Sequence, residues 1–265
     1  MPRVLITGCS RGIGRESAVR MSQEGWEVVA TLRSDEGRRE LEEYNIQVVT
    51  LDVSDEARVT EVINEAAGSG LDALVANAGY GLHGAFEMLD PADIRALFDT
   101  NVFGAMACAR AALPHLRASR GRLVVVSSLA GRRAAPCSSM YNASKFAVEG
   151  WAEGLRLELA HLGVPVVLIQ PGATRTGFRQ ALVRREGFGS GVYAALENRL
   201  AELHAASWGS ADDSVIVVDA IHRALTARRP PLRMATGRNT HIQLTAFRAL
   251  PWRIWEAMVR RKLDL

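Results

Sequence analysis

Thr7-Gly8-Cys9-Ser10-Arg11-Gly12-Ile13-Gly14 follows directly on the apolar run Val4-Leu5-Ile6, near the start of a chain of 265 residues. The glycines fall as G-x-x-x-G-x-G, a variant of the better-known G-x-G-x-x-G fingerprint. A short β-branched run that breaks into such a turn and then into a helical pattern reads as the first strand, loop and helix of a nucleotide-binding βαβ unit. Gly8 lets the chain turn sharply off the strand. Gly12 and Gly14 remove Cβ atoms where backbone would meet a pyrophosphate and where helix would meet sheet. The helix starting here would aim its free N–H groups and positive dipole end at phosphate oxygens. Ser10, Arg11 and Ile13 complete that loop. An ordinary glycine-rich turn is the alternative; the position at the first strand–helix junction favours phosphate.

The rest of the chain keeps the same rhythm. Apolar, β-branched runs at Arg3–Thr7, Glu27–Leu32, Gln47–Leu51, Ala73–Ala76, Leu123–Ser127, Val164–Ile169 and, more weakly, Leu232–Thr236 predict strands covered on both faces. Amphipathic stretches at 12–24, 35–44, 55–68, 91–118, 139–162 and 211–228 predict the helices between them. Asp90-Pro91, Ser54-Asp55 and Ser210 supply helix-start signals. The alternation implies an α/β fold: a doubly wound Rossmann-type domain over 1–239, with a parallel sheet of about seven strands flanked by helices on both faces. Residues 173–208 break the rhythm and read as an insertion at the carboxyl edge of the sheet, where substrate lids sit. Residues 240–265 read as an amphipathic helical extension.

Composition is that of an ordinary globular chain, 48% hydrophobic and 23% charged. No apolar run approaches the roughly 18–20 residues of a membrane span. Val4-Leu5-Ile6 is too short for a signal-peptide core, so the expected location is the cytoplasm. Net charge is +3, but residues 228–265 hold nine Arg or Lys against Glu256 and Asp264. The remainder is slightly acidic, which argues against a nucleic-acid surface. Cys9, Cys108 and Cys137 are odd in number and far apart, giving neither a disulfide framework nor zinc spacing. The six histidines show no ligand spacing, so no metal is expected. No G-x-S-x-G elbow marks a hydrolase.

The second strand ends Val28-Val29-Ala30-Thr31-Leu32-Arg33. Nicotinamide sites that prefer NAD place a carboxylate near this point to bind the ribose 2′-OH. Leu32 occupies that place here, and Arg33 follows it. With Arg11, two guanidiniums can flank a 2′-phosphate, which favours NADP(H) over NAD(H). Asp52 and Val53, closing the third strand, are placed to meet adenine. A capping role for Asp52 is the competing reading, because Ser54-Asp55 follows.

Chemistry concentrates in Tyr141-Asn142-Ala143-Ser144-Lys145. Spacing i, i+4 puts the phenol and the ammonium on one helix face. A lysine cation favours the phenolate, and the pair can exchange a proton with a substrate oxygen. Lys145 and Lys262 are the chain's only lysines among 32 basic residues, so a lysine at this position carries weight. Ser128, thirteen residues earlier at a strand end, can hydrogen-bond a substrate carbonyl; Ser127 competes for that role. Asn101 is a poor helix former inside 91–118 and reads as a kink holding a water that leads to Lys145, or else as a locally bonded asparagine.

Thr7-Gly8-x-x-x-Gly12-x-Gly14, Asn77-Ala78-Gly79, Asn101, Ser128, Tyr141-x-x-x-Lys145 and Pro171-Gly172 occur in order with the usual gaps. This set resembles the short-chain dehydrogenase/reductase family across about residues 3–236. YNASKFAVEG at Tyr141–Gly150 and ATLR at Ala30–Arg33 resemble its hydroxysteroid and retinoid dehydrogenase branch. The resemblance implies Tyr141 as acid/base, Lys145 as its activator, Ser128 as the group polarising the carbonyl and Asn101 as anchor of a relay water. It implies that Asn77, Ala78 and Gly79 support the sheet beside the adenosine ribose. Pro171, Gly172 and either Thr174 or Thr176 would flank the nicotinamide amide. It also implies dimers or tetramers built through 91–118 and 139–162.

The expected reaction is hydride transfer between a nicotinamide and a carbonyl or secondary alcohol. Tyr80, Leu82, Leu129, Met140, Phe178, Phe188 and Tyr193 are candidate walls for a hydrophobic, steroid-, retinoid- or lipid-like substrate; lid packing is their alternative. Cys137 could line the same pocket. The basic tail with Trp252 and Trp255 could touch an anionic membrane, but packing on the chain's own domain or on a neighbouring subunit is the favoured expectation. The competing function is a non-catalytic nicotinamide-binding regulator or scaffold on the same fold. Such proteins normally lose the tyrosine or the lysine, and both are present here.

Overall fold

A computed structural model describes residues 1–68, 70–175, 181–209, 211–237 and 240–264. Its centre is a parallel sheet of seven strands: β1 (Arg3–Ile6), β2 (Glu27–Leu32), β3 (Gln47–Thr50), β4 (Ala73–Ala76), β5 (Arg122–Val126), β6 (Val166–Pro171) and β7 (Arg233–Thr236), in spatial order β7-β6-β5-β4-β1-β2-β3. Strand order reverses between β1 and β4, which leaves a crevice above their carboxyl ends.

Alternate residues of each strand feed two separate cores. Leu5, Val29, Leu74, Leu123, Val125 and Leu168 face α3 (Glu56–Ala66), α5 (Ala105–Ser119) and α6 (Ser139–Leu159). Val4, Ile6, Val28, Ala30, Val124 and Val167 face α1 (Gly12–Gln23) and α8 (Val215–Thr226). The doubly wound α/β architecture expected from the sequence is the one observed.

Boundaries differ where local chemistry intervenes. The helix expected over 35–44 shrinks to α2 (Arg38–Glu42), because Gly37 at φ +81 turns the chain just before it. The helix expected over 91–118 divides into α4 (Pro91–Phe98), a π-helical turn at Asp99–Gly104, and α5. Asp90 caps α4 by accepting from Ala92 N at 2.7 Å, and Asp55 caps α3 by accepting from Arg58 N at 3.0 Å. The helix expected from 211 starts at Val215. Asp212–Asp213 instead pairs with Thr174–Arg175, and Asp213 accepts from Val215 N at 3.0 Å. Ser210 lies outside the described residues, and Ser214 stands at the helix start.

The insertion has structure of its own. Leu182–Arg184 pairs in parallel with Gly81–His83, and α7 (Ala194–Gly209) follows. The tail is two helices rather than one, α9 (Thr240–Ala249) and α10 (Trp252–Lys262), divided at Pro251. Trp255 stacks edge-on against Phe247 at 5.4 Å, and the Arg133 guanidinium lies 4.9 Å above the Trp255 ring. Leu263 is buried with Ala85, Cys137 and Leu200, so the tail is seated on its own chain. Among the described residues no helix is long and apolar enough to cross a membrane.

Candidate active site

A cleft of about 660 Å³ opens above the carboxyl ends of β1, β4 and β5. Its floor is the loop between β1 and α1. Gly8 has φ +72, and a Cβ there would stand 2.8 Å from Ala78 Cα. A Cβ on Gly14 would drive into the Gly8 carbonyl oxygen and the Asn77 amide. Neither position has room for a side chain. Asn77 fixes the loop from the β4 side: its Nδ2 donates to the carbonyls of Thr7 (2.8 Å) and Gly8 (3.0 Å). Thr7 Oγ1 accepts from the N–H groups of Asn77 and Ala78, both at 3.0 Å. Among the described residues no side chain caps the N-terminus of α1 from the N-cap position, and no acid sits in its first turn. Its leading N–H groups therefore remain for anionic oxygens. Ser10, Arg11, Gly12, Ile13, Ala78 and Gly79 line the same floor.

Leu32 is fully buried in the core, so the place of a ribose-binding carboxylate is filled by an inward apolar side chain. Arg33 is exposed at the cleft wall, and Arg11 stands on the loop 3.5 Å from Glu36. Asp52 and Val53 line the cleft as expected. Asp52 also accepts from Ser54 N (2.9 Å) and Ser54 Oγ (2.7 Å), so it serves the turn before α3 as well.

Ser128, Tyr141 and Lys145 converge on the opposite wall. Ser128 leaves the end of β5 and accepts from Ala130 N at 3.1 Å, and its hydroxyl hydrogen-bonds Tyr141. Ser127 Oγ instead faces Gly131 and has no partner among the described residues. Geometry thus separates the two serines, with Ser128 on the tyrosine. Tyr141 and Lys145 are one turn apart on α6, both buried. Lys145 Nζ donates to Val126 O at 3.0 Å.

Burial pushes the Tyr141 phenol up to about 12, with the Ser128 hydrogen bond opposing. It pushes the Lys145 ammonium down to about 8, against the pull of Glu149. The acidified phenol expected from the sequence is therefore not what the chain alone provides. Desolvation dominates both groups and holds Tyr141 as a protonated phenol.

Asn101 lies in the π-helical turn, an irregularity common at functional sites. Its Oδ1 accepts from Tyr80 N at 3.0 Å, and its Nδ2 donates to Tyr80 O (2.9 Å) and Ser144 Oγ (3.3 Å). The π-helical turn interrupts the regular helix there, and the side chain braces the segment after β4 against α6. Pro171, Gly172 and Thr174 line the cleft, with Thr174 Oγ1 donating to Gly172 O at 3.1 Å. Thr176 and Phe178 lie outside the described residues.

Of the expected substrate walls, Tyr80 and Leu82 line the cleft. Four others are used elsewhere. Met140 packs beside the Leu82, Leu89 and Leu97 cluster. Leu129 begins the 3-10 turn behind Ser128. Phe188 lies under the Arg184 guanidinium at 5.2 Å. Tyr193 donates to Glu87 at 2.7 Å and joins the cluster of Ala85, Cys137, Leu200 and Leu263. Cys137 is buried in that cluster, and burial pushes its thiol up to about 11, an inert rather than a reactive cysteine. Sequence reasoning missed Ala96, Ala181 and Val183, which line the cleft. The pairing of Val183 with Leu82 joins residues far apart in the chain, and no local pattern marks it. Among the described residues no group of side chains could hold a metal ion.

A doubly wound sheet carrying a phosphate-ready glycine loop, with serine, tyrosine and lysine across one cleft, defines a dinucleotide-dependent oxidoreductase. Residues 2–187 match the model of the short chain dehydrogenase family. The chain belongs to the short-chain dehydrogenase/reductase family. It is 38% identical to retinol dehydrogenase 8 of Bos taurus over 193 residues, 69% of this chain and 62% of the bovine protein. The match thus spans less than two thirds of that relative's length. A short-chain dehydrogenase from Streptomyces avermitilis has the same fold with a TM-score of 0.85, at 30% identity over 99% of this chain and 97% of that one. ElxO with NADP bound has a TM-score of 0.77, at 25% identity over 91% of this chain and 99% of that one.

Proposed function

We propose that this protein is an NADP(H)-dependent oxidoreductase that interconverts a hydrophobic ketone and its secondary alcohol, of steroid-, retinoid- or lipid-like character. The observation that carries the reading is the hydrogen-bonded Ser128–Tyr141 pair beside buried Lys145, facing the glycine loop across one cleft. A bound reduced nicotinamide supplies the hydride that adds to the carbonyl carbon. Tyr141, held protonated by burial, gives its phenolic proton to the carbonyl oxygen. Ser128 donates a hydrogen bond to that oxygen as negative charge grows on it. Lys145, when charged, stabilises the phenolate that Tyr141 leaves behind. Alcohol oxidation runs the same proton transfer backwards.

Preference for NADP(H) is supported by the buried Leu32, which leaves no carboxylate to repel a 2′-phosphate, and by Arg11 and Arg33 at that end of the cleft. A hydrophobic substrate is supported by Leu82, Ala96, Ala181 and Val183 in the wall and by the relative named for retinol. Exposed Phe103, Phe146 and Leu157 on the long-helix face support a homodimer or homotetramer formed there.

Tyr141→Phe tests the chemistry. Turnover of a ketone panel, followed by NADPH absorbance, should fall about 10³-fold, while NADPH binding measured by fluorescence titration is retained. Turnover that survives would remove Tyr141 from its role. Arg33→Asp tests the cofactor: KM for NADPH should rise about tenfold or more, with KM for NADH nearly unchanged. Equal changes for both cofactors would reject the assignment.

A further inference from the structure

Helix α10 has two apolar faces, and the fold uses only one. Trp255 and Val259, with Leu263 just beyond, recur every four residues and face the body of the chain against Phe247, Arg133 and the Ala85–Cys137–Leu200 cluster. Ile254 and Met258 recur at the same interval on the other side, 48% and 52% exposed. Trp252, 64% exposed, stands at the helix start. Arg261 and Lys262 lie three and four residues beyond Met258, on either side of the stripe. Arg253 and Arg260 lie further round the helix, away from the stripe. The two acids of the segment are already engaged, Glu256 within 4.0 Å of Arg260 and Asp264 within 3.2 Å of Arg199.

A stripe of isoleucine and methionine flanked by cations suits one kind of surface. The core of a protein interface is depleted in charge. A second copy of this chain would bring the same cations against one another. An anionic lipid surface accepts both features, with the apolar side chains at the headgroup–acyl boundary and the long basic side chains level with the phosphates.

We propose that the outer face of α10 docks this protein on an anionic membrane surface, with Ile254 and Met258 inserted and Arg261 and Lys262 lying over lipid phosphates. The inner face stays seated throughout, so docking needs no unlatching of the tail. The proposal is independent of the substrate.

The full chain is sedimented with vesicles of phosphatidylcholine alone and of phosphatidylcholine mixed with phosphatidylglycerol. Binding is expected on the anionic vesicles only, and should be lost at about 1 M salt, where the screening length is about 3 Å. The double variant Ile254→Ser/Met258→Ser should partition about tenfold more weakly, and Arg261→Gln/Lys262→Gln should weaken binding comparably. Retained NADPH binding and an unchanged melting temperature establish that these exposed changes leave the fold intact. No sedimentation, equal sedimentation with neutral vesicles, or full binding by both double variants overturns the proposal. So does a drop in molecular mass on size-exclusion chromatography for Ile254→Ser/Met258→Ser without any vesicle binding by the parent, which would assign the stripe to a second copy.

Discussion

The region up to Pro171 and the region beyond it carry their polar interactions differently. In the first, side chains bond the backbone of the adjacent strand end: Asn77 to Thr7 and Gly8, Asn101 to Tyr80, Lys145 to Val126. In the second, one buried ion pair organises the insertion. Arg185 grips Glu197 through Nε and Nη2, each at 2.7 Å, and the two side chains are 4% and 0% exposed. Glu197 also accepts from Ala85 N (3.1 Å) and Gly189 N (2.7 Å), while Arg185 donates to the carbonyls of Glu186 and Ser190. A cleft floor held by many modest bonds tolerates the loss of one. An insertion organised round one satisfied buried charge pair is far more sensitive to the loss of either partner.

The sharpest way to break this contrast is Glu197→Ala. It leaves Arg185 buried and unpaired, and stability should drop by about 3–5 kcal/mol in denaturant titration. Hydrogen exchange should rise first across 182–209, with the central sheet still protected. Equal loss of protection in β1 and β4 would show that the two regions unfold as one unit. Next in size is Gly14→Ala, which forces a methyl into the Gly8 carbonyl. It should cost about 1–3 kcal/mol and abolish NADPH binding, while exchange in 182–209 stays unchanged.

The smallest effect is a pH slope. Folded Lys145 loses its proton near 8, whereas the ordinary lysine value is 10.5. Between these the unfolded chain binds more protons, so this group makes stability rise with pH across that window. Tyr141, raised from 10 to about 12, acts with the opposite sign only above 10. Chemical denaturation from pH 8 to 10 should therefore show a rising contribution that Lys145→Met removes. Identical slopes in parent and variant would place Lys145 in a more solvated setting than its burial indicates.

The same contrast explains what could be read from sequence. Gly8, Gly12 and Gly14 were legible because a strand–helix junction imposes local demands on backbone shape. Tyr141 and Lys145 were legible because i, i+4 fixes a shared helix face. Asn101 stood out as a poor helix former, and the π-helical turn is its structural counterpart. The walls beyond Pro171 were not legible. Phe188 and Tyr193 suggested a pocket by type alone, yet their partners are Arg184 and Glu87. The bond from Ala85 to Glu197 spans 112 residues, and no periodicity carries information over that distance.

The π-helical turn at Asp99–Gly104 has a consequence for everything downstream of it. Such a turn winds one extra residue into the helix. Deleting one residue there would restore regular winding and leave the phase of α5 unchanged, because the wide turn absorbs a residue that would otherwise rotate α5 by about 100° about its axis. Ala109, Ala112 and Leu116 therefore stay in the core they share with Val59, Val62 and Ile63 of α3. The bulge thus adds a residue at the cleft edge, where Asn101 sits, while the packing further along α5 keeps its register.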